Sequence, residues 1–231
     1  MRILITNDDG INSIGIKLLT EETLKVASEV LVVCPNQEKS AISQGITIRN
    51  NVEIKKVIDI VEGVNTYTLS GTPADCVIFA LSNLQFKPDM VFSGINNGYN
   101  LGKNILYSGT VGSITEAALS GYKGIAFSAE IGCQENIKHF FDIYTYIKDN
   151  ELLKKYNLLN VNIPTNPKGI KMTKQGICHE VSYFIESDEK DIYIPKYKKI
   201  ENVYLSENTD IKTIENGYIS ITPLTEDRTK Y

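Results

Sequence analysis

In Ile3-Leu-Ile-Thr-Asn-Asp-Asp-Gly10, a short apolar run passes directly into polar and acidic residues. This pattern predicts a buried strand over residues 3–6 and a turn over 7–15. Residues 16–27 carry an apolar stripe with helical spacing, and residues 30–34 predict a second strand. A strand, a helix and another strand in this order are typical of a parallel sheet.

The same alternation continues to about residue 165. Further strands are predicted over residues 47–58, 65–69, 90–93, 125–128 and 160–163, where the sheet pattern closes. Further helices are predicted over residues 72–84, 110–120 and 137–148. Apolar strands alternating with helices predict an α/β fold, a doubly wound and mostly parallel sheet with helices on both faces.

The pattern changes after residue 165. Apolar and polar residues alternate over 170–185, and a charged break follows at 187–191, which predicts a long hairpin projecting from the core. Residues 218–222 predict a late strand before a polar tail. We therefore expect a single-domain protein with a core over 1–165 and a hairpin arm and C-terminal segment over 166–231, used in oligomerisation.

Composition and charge exclude several classes. The chain has 231 residues, of which 42% are hydrophobic and 23% charged, as in ordinary globular proteins. A formal net charge of -4 disfavours long nucleic acids as partners. The N-terminal apolar run is too short for a signal peptide, and no apolar run is long enough to span a membrane, so we expect a soluble protein with no membrane partner. Its unpaired cysteines predict reduced thiols in the cytoplasm, and they are Cys34, Cys76, Cys133 and Cys178.

Oxygen-bearing side chains follow several of the predicted strands. In a doubly wound sheet, ligands bind at the carboxyl ends of the strands, so these side chains are candidates for a site. They are Asn7, Asp8 and Asp9 after the first strand, Asn36, Ser40 and Ser43 after the second, Asn96, Asn97 and Asn100 after the strand at 90–93, and, further along, Ser108 and Thr110 in the stretch 107–111.

Asp8 and Asp9 stand out by position rather than by adjacency. The chain has 28 acidic residues and several neighbouring pairs, so a pair alone means little. Two carboxylates directly after a buried strand repel each other unless a cation lies between them. The alternative is that they form a turn and cap a helix. All-oxygen sites suit Mg²⁺ or Mn²⁺, and zinc is disfavoured because His139 and His179 fall away from strand ends.

Ser108-Gly109-Thr110 precedes a predicted helix. Its hydroxyls, with the free amides of the first turn, are suited to a phosphate. The alternative is an ordinary helix cap. The glycines at 94, 98 and 102 have two interpretations: they shape a turn, or they allow a ligand to approach the backbone closely. Thr72-Pro-Ala-Asp75 is interpreted as a helix start.

Five stretches, taken in order, resemble the SurE (survival protein E) family of 5'/3'-nucleotidases. They are Ile5-Thr-Asn-Asp-Asp-Gly-Ile11, Gly71-Thr-Pro-Ala-Asp-Cys-Val77, Ser93-Gly-Ile-Asn-Asn-Gly-Tyr-Asn100, Tyr107-Ser-Gly-Thr-Val111 and Gly217-Tyr-Ile-Ser-Ile-Thr-Pro-Leu224. The resemblance implies a Rossmann-like core with a C-terminal hairpin and tail, a homodimer or homotetramer, and a divalent-metal phosphomonoesterase acting on nucleoside monophosphates. It also implies 5'-nucleotidase activity together with 3'-nucleotidase and exopolyphosphatase activity.

The resemblance also implies a set of site residues. The metal ligands would be Asp8, Asp9, Ser40 and Asn96, of which Asp8, Asp9 and Asn96 would be catalytic. The phosphate side would be lined by Asn100, Ser108, Gly109 and Thr110. One divalent ion per subunit is implied, Mg²⁺ or Mn²⁺, with Ca²⁺ as a substitute in crystals. The loop after residue 35 departs from the family, which usually has Asp and Arg where this chain has Asn36 and Gln37.

The expected reaction is in-line attack of a metal-activated water on phosphorus, without a covalent intermediate. One rival is a phosphatase of the haloacid dehalogenase type, which uses an Asp nucleophile and a second Asp two residues later, where this chain has Gly10. Another is a non-catalytic nucleotide sensor on the same kind of scaffold. The first predicts an aspartyl-phosphate, and the second predicts nucleotide binding without phosphate release.

Overall fold

The structure is a computed structural model and describes residues 1–177, 180–199, 206–227 and 229. Cys178 and His179 lie outside the described residues. The strands are β1 (Arg2–Thr6), β2 (Glu29–Pro35), β3 (Ile54–Val57), β4 (Thr66–Leu69), β5 (Met90–Asn97), β6 (Lys123–Ala129), β7 (Leu158–Ile163), β8 (Ile170–Met172), β9 (Glu180–Glu186), β10 (Tyr193–Lys199) and β11 (Ile219–Leu224). The helices are α1 (Ile14–Thr23), α2 (Pro73–Ser82), α3 (Asn104–Tyr107), α4 (Gly109–Leu119), α5 (Phe140–Asp149), α6 (Leu152–Lys155) and α7 (Asp210–Glu215), with a 3₁₀ helix over Gln134–His139.

Within the described residues, nine strands form one sheet in the order β3-β4-β2-β1-β5-β6-β7-β11-β8. Most neighbours are parallel, and the antiparallel pairs are β3 with β4 and β11 with β7. The predicted α/β class with a mostly parallel sheet is confirmed. Because consecutive strands are added on both sides of β1, their order reverses at this strand.

Helices cover both faces of the sheet, as alternate residues of β1 show. Ile3 and Ile5 belong to a core cluster that includes residues of α1 and α5. Leu4, which points to the opposite face, belongs to a cluster with residues of α2 and α4. Side chains of a strand alternate between its two faces, so a strand buried on both sides is apolar throughout. The doubly wound arrangement is thereby confirmed.

The prediction of a long strand over 47–58 is wrong, because only residues 54–57 are extended in the sheet. The earlier part is bound elsewhere: the backbone N–H of Thr47 donates to Asp75 Oδ1 at 2.9 Å. Asp75 lies in the first turn of α2, where Thr72 and Asp75 form a reciprocal capping box. The chain between β2 and β3 therefore forms a loop that is bound to the first turn of α2.

Helix α1 runs from Ile14 to Thr23 rather than over 16–27. Ser13 is its N-cap, and the Ser13 hydroxyl accepts a hydrogen bond from the N–H of Gly15 at 3.1 Å. The helix predicted over 137–148 consists of the 3₁₀ helix and α5.

The sheet does not close with residues 160–163. Strand β11 pairs with β7, and β8 pairs with β11, so the segment after residue 165 contributes two strands to the main sheet. The projecting hairpin is formed by β9 and β10, with Tyr193 opposite Glu186 and Tyr197 opposite Ser182. A hairpin is confirmed, but its first strand was predicted too early. The core boundary at 165 and the use of the arm in subunit contacts stay predictions.

None of the helices in the described residues is long and apolar enough to cross a bilayer. Cys34 and Cys76 are buried and Cys133 is half-buried.

Candidate active site

A cavity of about 780 Å³ opens at the carboxyl ends of β1 and β5. Strand β1 lies between β2 and β5, so loops from three adjacent parallel strands meet there. Six of the eight predicted site residues line the cavity, and they are Asp8, Asp9, Ser40, Asn96, Asn100 and Ser108. The other two, Gly109 and Thr110, lie against Asp8. The structure therefore brings together residues from stretches that are far apart in the chain.

Asp8 is bound by the first turn of α4. The backbone N–H of Thr110 donates to Asp8 Oδ2 at 3.1 Å, and the Thr110 hydroxyl donates to Asp8 Oδ1. A Cβ atom at Gly109 would lie 2.9 Å from Asp8 Cβ, which is too close for a real side chain. Glycine at 109 therefore allows the helix to approach the carboxylate.

Burial raises the pKa of Asp8 to about 6, since a desolvated carboxylate favours the neutral form. The Thr110 hydrogen bonds lower this pKa, and the charge of Asp9 raises it. The pKa of Asp9 is also raised, first by burial and then by Glu38, against a hydrogen bond from the backbone of Asn97. Two neighbouring carboxylates with raised pKa values are stabilised in their charged forms when a cation binds between them.

Asn96 presents its amide oxygen beside this pair. Its Nδ2 donates to the carbonyl oxygen of Gly98 at 2.7 Å, and its Oδ1 lies 3.4 Å from Thr110 Oγ1. Asn96 follows a register shift in the pairing of β5 with β6. The next backbone N–H, of Asn97, donates to Asp9 Oδ2 at 3.1 Å. One end of β5 thus contacts both the second carboxylate and Thr110.

Ser40 lies in the loop after β2 and donates its hydroxyl hydrogen to Glu38 Oε1. The loop is fixed to the site, because the N–H of Lys39 donates to the Asp8 carbonyl at 2.7 Å. Glu38 also lines the cavity and was not among the predicted site residues. Its position in the same loop after a buried strand is a signal that sequence reasoning could have used.

Ser108 is the N-cap of α4, and its hydroxyl accepts a hydrogen bond from the N–H of Val111 at 3.1 Å. The capping alternative is therefore present in the structure. Ser108 also lines the cavity, so capping and ligand contact are compatible.

Asn100 is held by a buried amide network. Its N–H donates to Asn162 Oδ1 at 2.8 Å, and its Nδ2 donates to Ser128 Oγ at 2.9 Å. The Asn100 carbonyl accepts hydrogen bonds from Nδ2 of Asn160 and of Asn162. The same loop is bound two residues later, where the N–H of Gly102 donates to Asp210 Oδ2 at 2.9 Å. Asn160, Asn162 and Asp210 were missed by sequence reasoning, because their contacts join distant segments.

The donor set fits a hard divalent cation. Two desolvated carboxylates, an amide oxygen and a hydroxyl line the same cavity, and oxygen is the preferred ligand atom of Mg²⁺ and Mn²⁺. No group of three or more His, Cys, Asp or Glu side chains placed to hold a metal occurs in the part of the chain that the structure describes. The candidate set therefore depends on neutral oxygens of Ser40 and Asn96 besides the two carboxylates.

Comparison with known proteins finds relatives along the whole length of this chain. The family model "Survival protein SurE" matches residues 3–181. A 5'-nucleotidase SurE of Thermoanaerobacter sp. (strain X514) is 42% identical over 246 residues, covering 100% of this chain and 94% of that protein. One of Picosynechococcus sp. (strain ATCC 27264 / PCC 7002 / PR-6) is 36% identical, covering 97% of this chain and 91% of that protein.

A solved structure shows the same fold. The crystal structure of the SurE protein from Aquifex aeolicus superposes with a TM-score of 0.83 at 35% sequence identity, covering 100% of this chain and 96% of that one. The Thermoanaerobacter relative and this solved structure both cover the core and the C-terminal segment. With the family model spanning most of the chain and full-length relatives well above 30% identity, the chain belongs to the SurE (survival protein SurE) family.

Proposed function

We propose that this protein is a divalent-metal-dependent phosphomonoesterase that hydrolyses nucleoside 5'-monophosphates, with one Mg²⁺ or Mn²⁺ per subunit. The observation that carries the proposal is the pair Asp8 and Asp9, desolvated at one cavity beside the amide oxygen of Asn96 and the first turn of α4. The relatives that cover the whole chain are named 5'-nucleotidases.

In this proposal Asp8, Asp9, Ser40 and Asn96 hold the cation. When bound, the cation supplies Lewis acidity towards the phosphoryl group and lowers the pKa of the attacking water. Thr110 favours the charged form of Asp8 through two hydrogen bonds, which keeps this carboxylate ready to bind a cation at neutral pH. The backbone N–H of Asn97 orients Asp9 through one hydrogen bond to its carboxylate.

The phosphate side of the site is assigned to Asn100, Ser108 and Gly109, whereas Thr110, whose N–H and hydroxyl both donate to Asp8, acts through that carboxylate. Asn100 and Ser108 line the cavity, and both are nearly buried, at 6% and 5% exposure. Donors that are fixed before substrate arrives need no reorganisation to stabilise charge on the phosphoryl oxygens. Gly109 contributes by admitting the backbone close to Asp8.

The test is phosphate release from a panel of nucleoside 5'-monophosphates, with EDTA and with Mn²⁺ or Mg²⁺ added back. We expect activity that EDTA abolishes and metal restores. Asp8→Asn and Asp9→Asn should each lose activity by about a hundredfold or more, whereas Glu21→Gln, which changes an exposed acid of α1, should keep it. Undiminished activity in both aspartate variants, or full activity in EDTA, would refute the proposal.

Gly10 provides a structural argument against the haloacid dehalogenase rival. A Cβ atom at this position would lie 2.8 Å from the carbonyl carbon of Gln37, and the φ angle is +83°. A catalytic acid two residues after Asp8 is therefore sterically excluded in this conformation. A non-catalytic sensor would bind nucleotides in the same panel without releasing phosphate.

The finer expectations belong to the same proposal. Nucleoside 3'-monophosphates and inorganic polyphosphate extend the panel, and release from them would establish the broader specificity. A homodimer or homotetramer is expected, and light scattering on the purified protein would measure its mass. A cytoplasmic location is likewise proposed.

A further inference from the structure

Three tyrosines line the candidate active-site cavity together with the polar residues, and the proposed chemistry leaves them unused. They are Tyr99, Tyr107 and Tyr197. Tyr107 is 55% exposed and Tyr197 is 71% exposed. Large aromatic surfaces exposed at a polar cavity are typical of a binding surface, because they gain free energy when a ligand covers them.

Tyr197 comes from the hairpin rather than from the core. It lies on β10 directly opposite Ser182 on β9, and both residues line the cavity. Since residues paired across two strands share one face, this face of the hairpin is turned towards the site. Serine is small, so the face of the Tyr197 ring has no bulky cross-strand neighbour at this pair.

Tyr107 is fixed beside the proposed phosphate side. Its carbonyl oxygen accepts a hydrogen bond from the N–H of Ser43 at 2.8 Å, and the next residue, Ser108, caps α4. A phosphate contacted by Ser108 therefore has its ester group within the same cavity as the Tyr107 ring. The cavity volume of about 780 Å³ lies within the usual range for sites that bind small organic molecules.

We propose that Tyr107 and Tyr197 bind the aromatic base of the substrate and thereby select phosphomonoesters that carry one. This inference rests on the proposed function and names the part of the site that recognises the leaving group. Bases stack on aromatic side chains with little dependence on their identity, since every base has a π-face. The subsite distinguishes esters with a base from esters without one.

The first experiment measures adenosine binding by calorimetry in EDTA, so that neither metal nor phosphate contributes. We expect the wild-type protein to bind adenosine, and Tyr197→Ala and Tyr107→Ala to bind it about tenfold more weakly. Tyr197→Phe and Tyr107→Phe should bind as the wild type does, because they keep the ring. Tyr183→Ala is the matched control, since Tyr183 is next to Ser182 on β9, lies on the opposite face of the hairpin and is 42% exposed.

The second experiment compares two substrates of the metal-loaded enzyme, adenosine 5'-monophosphate and glycerol 3-phosphate. Tyr197→Ala should raise KM for the nucleotide about tenfold with kcat nearly unchanged, and should leave kcat/KM for glycerol 3-phosphate as it was. If Tyr197→Ala lowers kcat/KM for the nucleotide but not for glycerol 3-phosphate, the result would support base binding by Tyr197.

Several results would overturn the inference. These are wild-type protein that fails to bind adenosine, alanine variants that bind it normally, and an equal loss on both substrates. An equal loss accompanied by a change in particle mass would show instead that Tyr197 serves a subunit contact. If the wild type binds adenosine but releases no phosphate from any nucleotide, the proposed function fails while the base subsite stands.

Discussion

Thr110 donates two hydrogen bonds to Asp8, one from its backbone N–H at 3.1 Å to Oδ2 and one from its hydroxyl to Oδ1, across 102 positions of sequence. The pair joins the start of α4 to the end of β1. Both residues are nearly inaccessible to solvent, at 0% exposure for Thr110 and 4% for Asp8. This contact sets the position and the charge of the carboxylate on which the proposed metal site depends.

Replacing Thr110 by valine removes the hydroxyl donor while keeping the shape of the side chain. A hydrogen bond to a charged group is worth about 1.5–3 kcal/mol, so we expect kcat/KM to fall by about 10- to 100-fold. Steady-state kinetics with Mn²⁺ would measure this loss. Thr110→Ser, which restores the hydroxyl, should recover most of the activity, and a serine variant as poor as valine would contradict the hydrogen-bond explanation.

Asp8→Asn should separate metal binding from folding. The amide is neutral, so it avoids the cost of a buried charge, and its Nδ2 can donate to the Thr110 hydroxyl oxygen. We expect the melting temperature in EDTA to be unchanged or higher than that of the wild type. Adding Mn²⁺ should raise the wild-type melting temperature, with a stabilisation of about 2.7 kcal/mol at a hundredfold excess over Kd. The variant should show little or no such rise, and a rise equal to that of the wild type would remove Asp8 from the ligand set.

Gly109→Ala should damage the site by crowding. The added methyl group would lie 2.9 Å from Asp8 Cβ and 3.2 Å from Ile42 Cγ2. Relieving these contacts pushes α4 away from Asp8, so we expect a loss of about 1–3 kcal/mol in the free energy of unfolding and a fall in activity. Urea denaturation and phosphate release would measure the two effects. Ser120→Ala, at the exposed far end of the same helix, should change neither.

Asp75 should make the stability of the protein depend on acid pH. Burial raises its pKa, but the hydrogen bonds from Thr47 and Thr72 outweigh this effect and leave the pKa below its usual value. A carboxylate with a lowered pKa in the folded state stabilises the fold above its unfolded pKa, and this contribution is lost as the pH falls through the folded pKa. The stabilisation by ionised Asp75 is therefore lost below about pH 4.

Asp75→Asn tests this dependence. We expect the variant to lose about 1–3 kcal/mol of unfolding free energy at pH 7, because the charged acceptor of three hydrogen bonds is gone. Denaturation curves at pH 7 and pH 3 should show the difference between variant and wild type shrinking at the lower pH. A difference that stays constant with pH would mean that the ionised form of Asp75 is not what stabilises the loop.

Local sequence patterns were enough to predict the elements that carry a short apolar run or a helix-capping motif. The apolar run before Asp8 and Asp9 predicted β1, and Thr72 with Pro73 and Asp75 predicted the start of α2, which the structure confirms. Each of these signals lies within a few residues of the element it specifies. The apolar pattern gave a wrong prediction of a strand over residues 47–58, because the N-terminal part of that stretch is bound by Asp75 rather than by a neighbouring strand.

The α/β class and the positions of polar residues after the strands were readable from the amino-acid sequence, because backbone propensity and apolar spacing act over short distances. Which of those residues come into contact depends on the tertiary structure. In the folded protein, Thr110 contacts Asp8, and Tyr197 of the hairpin lines the cavity. The loop that carries Asn100 is hydrogen-bonded to Asn162 and Asp210. These contacts join segments far apart in the chain, and their geometry depends on how the helices and the hairpin pack against the finished sheet.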